Sequence, residues 1–220
     1  MEEAMENMHI FKGKWITDGE FASLAPRNVF HRQLEPADLP CDRHRDRHIL
    51  FRRRFQLDKL PEDAHLYICA DDYYKLFING IFVGQEPAPG YPQHMQYDTW
   101  NVLSYLHEGE NCIAVHTLYQ GLINRVWVSG DQRHGLICDL EADGDIIVTS
   151  GERFLIHPHT GFAEMGTVGY DTQFPERQIS STPEFGFEQP SFDDTGWEHA
   201  KERCHIDYEL FPSQTKPLVF

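Results

Sequence analysis

Two adjacent carboxylates, Asp71 and Asp72, are the first residues of this chain whose types could do chemistry. A carboxyl pair set roughly 5–10 Å apart around a glycosidic bond can protonate the leaving oxygen and activate a water or attack the sugar. Adjacent residues of a strand point to opposite faces, however, so this pair is badly placed to flank one bond. With 35 acidic residues in the sequence, such pairs are common and carry little weight alone. A second group could hold a sugar without cleaving it. Sugar rings stack their C–H faces on aromatics, and their hydroxyls pair with carboxylates, amides and Arg. The stretch Tyr119–Asp131 offers Tyr119, Gln120, Asn124, Arg125, Trp127 and Asp131, and the loop Pro87–Pro92 adds Tyr91. A structural reading stands beside this one. Tyr119 and Trp127 also suit a core, and Arg125 suits a pairing with Asp71 or Asp72 that pins the loop.

Metal and nucleophile chemistry find less support. His44, Asp46 and His48 alternate with Arg43, Arg45 and Arg47, and three cations among the ligands oppose a divalent ion. The run reads as a solvated loop. His157-Pro158-His159 has no partner visible in the sequence. HExxH, CxxC, GxSxG and phosphate-binding glycine loops are absent, so no metal site and no catalytic nucleophile is expected. Five cysteines, Cys41, Cys69, Cys112, Cys138 and Cys204, form an odd set. Cys69, Cys112 and Cys138 sit in apolar runs, as reduced buried thiols do. With the acidic start MEEAMENMHI, this points to a cytoplasmic protein.

The elements that must position these groups are strands. Tyr74, Leu76 and Ile78 alternate with Tyr73, Lys75 and Phe77, the period of a half-buried strand. Asn79-Gly80 supplies the two positive-φ positions of a tight type I′ turn, and Ile81, Phe82 and Val83 start the return strand. Ile49–Leu57 reads as a strand with Phe51, Phe55 and Leu57 on one face and Arg52 and Arg54 on the other. Trp15–Ile16, Leu66–Ala70 and Asn111–Tyr119 read as further strands. Leu136–Leu140 and Ile146–Thr149 form a second hairpin around Asp143-Gly144. Val102–Leu106 suits one helical turn. Ser191 suits the cap of a short helical turn over Phe192-Asp193-Asp194, with Trp197 anchoring it. The segments 23–48 and 86–96 read as loops.

No long 3.6-residue apolar period appears, so the expected fold is all-β, an antiparallel β-sandwich or jelly roll with long loops. At 220 residues with 40% hydrophobic content, one sandwich domain over 9–210 can bury its own core, followed by an extended linker at 211–220. The net charge of −16 opposes nucleic acid and anionic membrane as partners. No apolar run reaches the 18 residues of a membrane span.

Several words in this order carry a resemblance. ADDYYKLFINGIFVGQ (70–85) is followed by PAPGYP (87–92), HEGENCIAVHTLYQG (107–121), NRVWVSGDQRHG (124–135), GTVGYDTQF (166–174) and SFDDTGW (191–197). Together they resemble the N-terminal β-sandwich region of bacterial α-L-rhamnosidases, glycoside hydrolase family 78-like enzymes, from about Trp15 to Leu218. The resemblance implies a galactose-binding-like sandwich and a parent enzyme that removes terminal L-rhamnose. It places catalysis in a separate (α/α)₆ barrel, which is the expected partner, and makes this chain inactive alone. The alternative function is a carbohydrate-binding module for rhamnosylated glycans. Self-association through an exposed apolar docking face is a third expectation. Related modules that bind rhamnose use a Gly-Asp/Asn-Gly-Trp-Tyr-type segment with calcium. Here Tyr119-Gln120-Gly121-Leu122 lacks the acidic residue, and Phe154 stands where the family often has Trp, so no cofactor, calcium included, is supported.

Overall fold

The computed structural model describes residues 8–27, 44–86, 90–123, 129–163, 165–169, 172–179 and 181–215. The strands run in the order β1 (Ile16–Thr17), β2 (Arg47–Leu57), β3 (Ala64–Asp71), β4 (Tyr73–Ile78), β5 (Ile81–Glu86), β6 (Met95–Asn101) and β7 (Gly109–Tyr119). They continue as β8 (Gly135–Ala142), β9 (Asp145–Thr149), β10 (Leu155–Pro158), β11 (Glu198–His199), β12 (Lys201–Glu202) and β13 (Leu210–Pro212). Helix is limited to α1 (Gly19–Ala22) and a 3₁₀ turn at Leu103–Tyr105 among the described residues.

The strands make two sheets. One has the order β12-β1-β8-β3-β6-β13, with β9 also on β8; the other has the order β11-β10-β2-β7-β4-β5. All pairs are antiparallel except β13 with β6, which is parallel. Residues 210–212, at the boundary between the expected domain and its linker, are thus an edge strand.

The main core lies between the sheets. Leu66, Ile68 and Ala70 of β3 and Leu136, Cys138 and Leu140 of β8 meet Ile49 and Phe51 of β2, Leu76 and Ile78 of β4, and Ile113 and Val115 of β7. Each set recurs at every second residue, so a single face of each strand is apolar by design of the sequence. Both tight turns form as their dipeptides dictate. Asn79 and Gly80 adopt φ of 52° and 83°, and Asp143 and Gly144 adopt 51° and 86°. The Asn79 amide also donates to the Tyr105 carbonyl at 2.8 Å and accepts from the Cys112 N–H at 2.8 Å, tying the hairpin to β7.

The outer sheet faces are covered too. Trp15, Met95, Tyr97 and Ile137 pack outside the first sheet with Tyr67 and Tyr208. Leu50, Cys112, Ala114 and Phe187 pack outside the second with Phe192 and Trp197. This cover buries a charged residue of β2. Arg52, on the face opposite Phe51, is fully buried. Its Nε donates to Asp194 at 3.1 Å and its Nη1 donates to the carbonyls of Phe187 and, at 3.0 Å, Gln189. Its guanidinium lies 5.1 Å from the Phe192 ring centre. Arg54 reaches the same Asp194 at 2.7 Å. A lone buried charge is unfavourable; here the segment that buries Arg52 also brings a carboxylate to its Nε and two carbonyls to its Nη1, while its Nη2 has no hydrogen-bond partner among the described residues.

Two expectations need correction. Phe192–Asp194 is not helical; the chain turns repeatedly through residues 183–191 instead, and Trp197 packs edge-on to Phe192 at 5.6 Å. The run 44–48 is not a solvated loop. His44 and His48 are buried, His44 beside Glu20 at 3.0 Å. Cys69, Cys112 and Cys138 are free and buried, and Cys204 is free and exposed. No helix of the described residues is long and apolar enough to cross a membrane.

Candidate functional site

One end of the sandwich gathers the polar groups. There β3 ends at Asp71, β4 begins at Tyr73, β7 ends at Tyr119 and β8 begins at Gly135. Asp72 is the bend between β3 and β4, so the alternation rule for strands does not separate it from Asp71. The two carboxyls lie close enough to act on each other's protonation. This corrects the expectation that they face opposite ways. Asp131, from the loop before β8, joins them electrostatically, and all three are buried.

Each carboxyl has a fixed partner. The Tyr208 hydroxyl donates to Asp71. The Gln120 N–H donates to Asp72 at 2.8 Å. Arg133 donates to Asp131 at 2.7 Å and also reaches Asp207 and, at 3.0 Å, the Arg27 carbonyl. Tyr119 closes the group from within, its hydroxyl accepting the Gln132 N–H at 2.9 Å. Burial dominates the protonation of this cluster. It pushes Asp71 well above the usual carboxylate range, with the charge of Asp72 adding to the effect. It pushes Asp72 up to about 6 despite the Gln120 bond. Asp131 rises to about 8, because burial and then Asp71 outweigh the Arg133 partner. Three carboxyls in one desolvated volume cannot all ionise.

A second group lies beside it, on the β2–β7–β10 sheet. His48 of β2 and His116 of β7 face each other, Nδ1 to Nε2, at 3.0 Å. The His48 ring lies flat on Phe162, centroids 3.9 Å apart, and His116 meets His159 edge-on at 5.0 Å. Glu184, buried, accepts from Thr160 at 2.8 Å and stands 3.9 Å from His159. Burial holds His116 well below the ordinary imidazole value, with His48, His159 and Lys75 adding to the effect. Burial also lowers His159. A cavity of about 600 Å³ opens over His48, His159 and Phe162.

The two groups share a wall. The Asp46 N–H donates to the Gln120 carbonyl at 3.2 Å, and Gly121 sits against the 44–45 backbone. Gly121 has a φ of 64°, and a Cβ there would lie 2.4 Å from the His44 carbonyl oxygen. Only glycine fits both constraints.

Of the sequence candidates, Tyr119, Gln120, Asp131, Asp71 and Asp72 come together. Tyr91 lies half-exposed in the turn before β6, bridged to His94. Asn124, Arg125 and Trp127 lie outside the described residues. Sequence reasoning missed Tyr208, Arg133, His116 and Glu184. It placed His48 in a loop run and saw no partner for His159, because the partners come from other strands. The described residues contain no group of three or more His, Cys, Asp or Glu that could hold a metal ion.

Two packed sheets with loop-borne polar clusters at one end define a β-sandwich domain of jelly-roll type. The family model of the α-L-rhamnosidase N-terminal domain matches residues 59–219, and the chain belongs to this family. An α-L-rhamnosidase of Streptomyces avermitilis is 30% identical over 158 residues, which cover 66% of this chain and 15% of that protein. The crystal structure of a family 78 rhamnosidase of Bacillus sp. GL1 superposes with a TM-score of 0.70 at 24% identity, covering 93% of this chain and 20% of that one. An α-L-rhamnosidase structure from Dictyoglomus thermophilum follows with 0.63 at 23% identity, covering 95% and 22%. The chain therefore spans about a fifth or less of these relatives.

Proposed function

We propose that this chain is a non-catalytic accessory sandwich of an α-L-rhamnosidase. In this role it packs on an (α/α)₆ catalytic barrel and helps shape the entrance to the sugar site, while the barrel hydrolyses terminal L-rhamnose. The family match over residues 59–219 carries this reading. The buried carboxyls support it from the chemical side. Glycoside hydrolysis needs two carboxyls with a sugar between them, whereas Asp71, Asp72 and Asp131 are 8%, 2% and 6% exposed. Exposed apolar side chains supply contact points for a barrel, Ile10 at 85% and Phe185 at 83%. A domain exchange tests the role. Placed in the Bacillus sp. GL1 enzyme instead of its own N-terminal sandwich, the chain is expected to support rhamnosidase activity that the enzyme without any sandwich lacks. An exchange enzyme no better than the deletion would end the proposal.

One observation favours a second reading, carbohydrate binding. Gln120 is 6% exposed, yet its Oε1 has no hydrogen-bond partner among the described residues. A buried acceptor without a donor is unfavourable, and a sugar hydroxyl is a suitable donor. Tyr119, Gln120 and Asp131, with Asn124, Arg125, Trp127 and Tyr91, would form that site. Titration with L-rhamnose and rhamnosylated flavonoids, followed by amide NMR, tests it. Shifts confined to these residues would support it, and none at tens of millimolar sugar would dismiss it.

A further inference from the structure

The walls of the cavity over His48, His159 and Phe162 are tied in place by backbone hydrogen bonds. On one side the Ile179 N–H donates to the Gly161 carbonyl at 2.7 Å, the Ala163 N–H to that of Arg177 at 2.9 Å and the Val168 N–H to that of Gln173 at 2.9 Å. On the other side β2 and β10 pair, and the His159 N–H donates to the His48 carbonyl at 2.8 Å. The cavity of about 600 Å³ is thus preformed, as small-molecule sites usually are.

The charges around it are matched. Arg47 is held by Asp18 at 3.2 Å and Glu20 at 3.0 Å, Lys75 faces Glu176 at 3.8 Å, and Arg45 is engaged as well. Burial holds His159 below the ordinary imidazole value, against the pull of Glu184, so its ring is uncharged at neutral pH. Nothing in these pairings calls for an anionic ligand.

The cavity offers instead one acceptor, one donor and one aromatic platform. The Asp46 carboxylate lines it and makes no hydrogen bond among the described residues; its nearest polar contact is His48 Nε2 at 3.5 Å. The Gly161 N–H donates to His159 Nδ1 at 3.1 Å, so the uncharged ring carries its proton on Nε2. That N–H has no hydrogen-bond partner among the described residues, although the His159 side chain is only 10% exposed. Phe162 already has one face on His48, at 3.9 Å. Phe174 also lines the cavity, is half-buried and meets no other aromatic ring among the described residues.

Pyranose hydroxyls both give and accept hydrogen bonds, and the C–H face of the ring packs on an aromatic. We propose that this cavity binds an uncharged pyranose residue of a glycan, its C–H face on Phe174, one hydroxyl donating to the Asp46 carboxylate and another accepting from His159 Nε2–H. None of the lining residues belongs to the Gln120 cluster, and the proposal does not rest on the accessory role.

Isothermal titration of the full chain at neutral pH with L-rhamnose, D-galactose, D-glucose and D-glucuronate tests this, with aromatic and imidazole NMR to locate the site. We expect at least one of the three neutral sugars to bind with a millimolar Kd and to shift the ring resonances of Phe174 and His159. D-glucuronate, which differs from D-glucose by its carboxylate, should bind no more tightly than D-glucose. Phe174→Ala should weaken binding about tenfold, and Asp46→Asn, which tolerates the same backbone conformation, about threefold or more. The NMR titration of the unmodified chain decides the question if a variant fails to fold. Unmoved Phe174 and His159 resonances at tens of millimolar of all three neutral sugars would overturn the proposal. So would shifts confined to Tyr119 and Gln120, tighter binding of D-glucuronate than of D-glucose, or a folded Phe174→Ala protein with wild-type affinity.

Discussion

The carboxyls of Asp71, Asp72 and Asp131 and the imidazoles of His116 and His159 sit side by side, and burial acts on them in opposite ways. Removing water disfavours the charged form of any group. For the acids it means holding protons to higher pH: burial, aided by the charge of Asp72, lifts Asp71, and burial takes Asp72 to about 6. For the imidazoles it means refusing protons to lower pH. Burial therefore favours the neutral form in both groups, by raising the acids and lowering His116 and His159. The comparison teaches that an acidic sequence does not make an acidic site. The groups with no open water around them choose the neutral state, and the polar partners around them decide which proton is held where.

The largest expected effect comes from breaking the wall between the clusters. Gly121→Val places a branched side chain at positive φ and against the His44 carbonyl. We expect a loss of about 3 kcal/mol or more in urea unfolding, with both clusters disturbed. A stability within 1 kcal/mol of wild type, on the order of a surface change, would show that the wall yields.

Next, the two adjacent acids should separate. Asp72→Ala removes the acceptor of the Gln120 N–H and leaves that buried donor unpaired, for a loss of about 2 kcal/mol. Asp71→Asn replaces an already protonated acid by a neutral amide that still accepts from Tyr208, and should change stability by less than about 1 kcal/mol. Equal losses would mean that Asp71 is ionised in the fold.

The pH dependence of stability sharpens the contrast further. The folded acids have raised pKa values. Their contribution is complete below the ordinary carboxylate value of 3.8 and is lost as pH rises through about 6 for Asp72 and about 8 for Asp131. The folded imidazoles of His116 and His159 have lowered values. Their contribution is present above the ordinary 6.5 and is lost as pH falls below it. The two slopes oppose each other between about pH 4 and 6.5. Above 6.5 only the acids remain, so stability should decline towards pH 8.5 by about 1 kcal/mol per pH unit for each proton that differs. Asp131→Asn should flatten that alkaline decline, and His116→Gln should lower the acid side less steeply than wild type. Parallel pH profiles for all three proteins would refute the assignment.

The smallest effect belongs to Tyr91. It is half-exposed and outside both clusters. Tyr91→Ser should alter stability by no more than about 0.5 kcal/mol.

What could be read in the sequence was local. Asn79-Gly80 and Asp143-Gly144 announce their hairpins because a turn needs only its own two residues to adopt positive φ. The alternation in β3, β4 and β7 announces the core face for the same reason. The burial of Arg52 could not be read because the residues that cover it, 187–194, lie about 140 positions away. The imidazole cluster was hidden because β2, β7 and the turn after β10 each contribute one ring. Asp71 and Asp72 were misread because the strand rule was applied across a bend. The loop residues Asn124, Arg125 and Trp127 kept their two readings, as the described structure does not include them.

The accessory role is tested most directly by the hydrolysis of p-nitrophenyl α-L-rhamnoside by the purified 220-residue chain. The account predicts release of nitrophenol no faster than the uncatalysed rate across pH 4–9, while the exchange enzyme carrying this sandwich on the Bacillus barrel turns the substrate over. Hydrolysis by the chain alone, abolished by Asp72→Asn or Asp131→Asn, would contradict it and make the buried carboxyl cluster an active site.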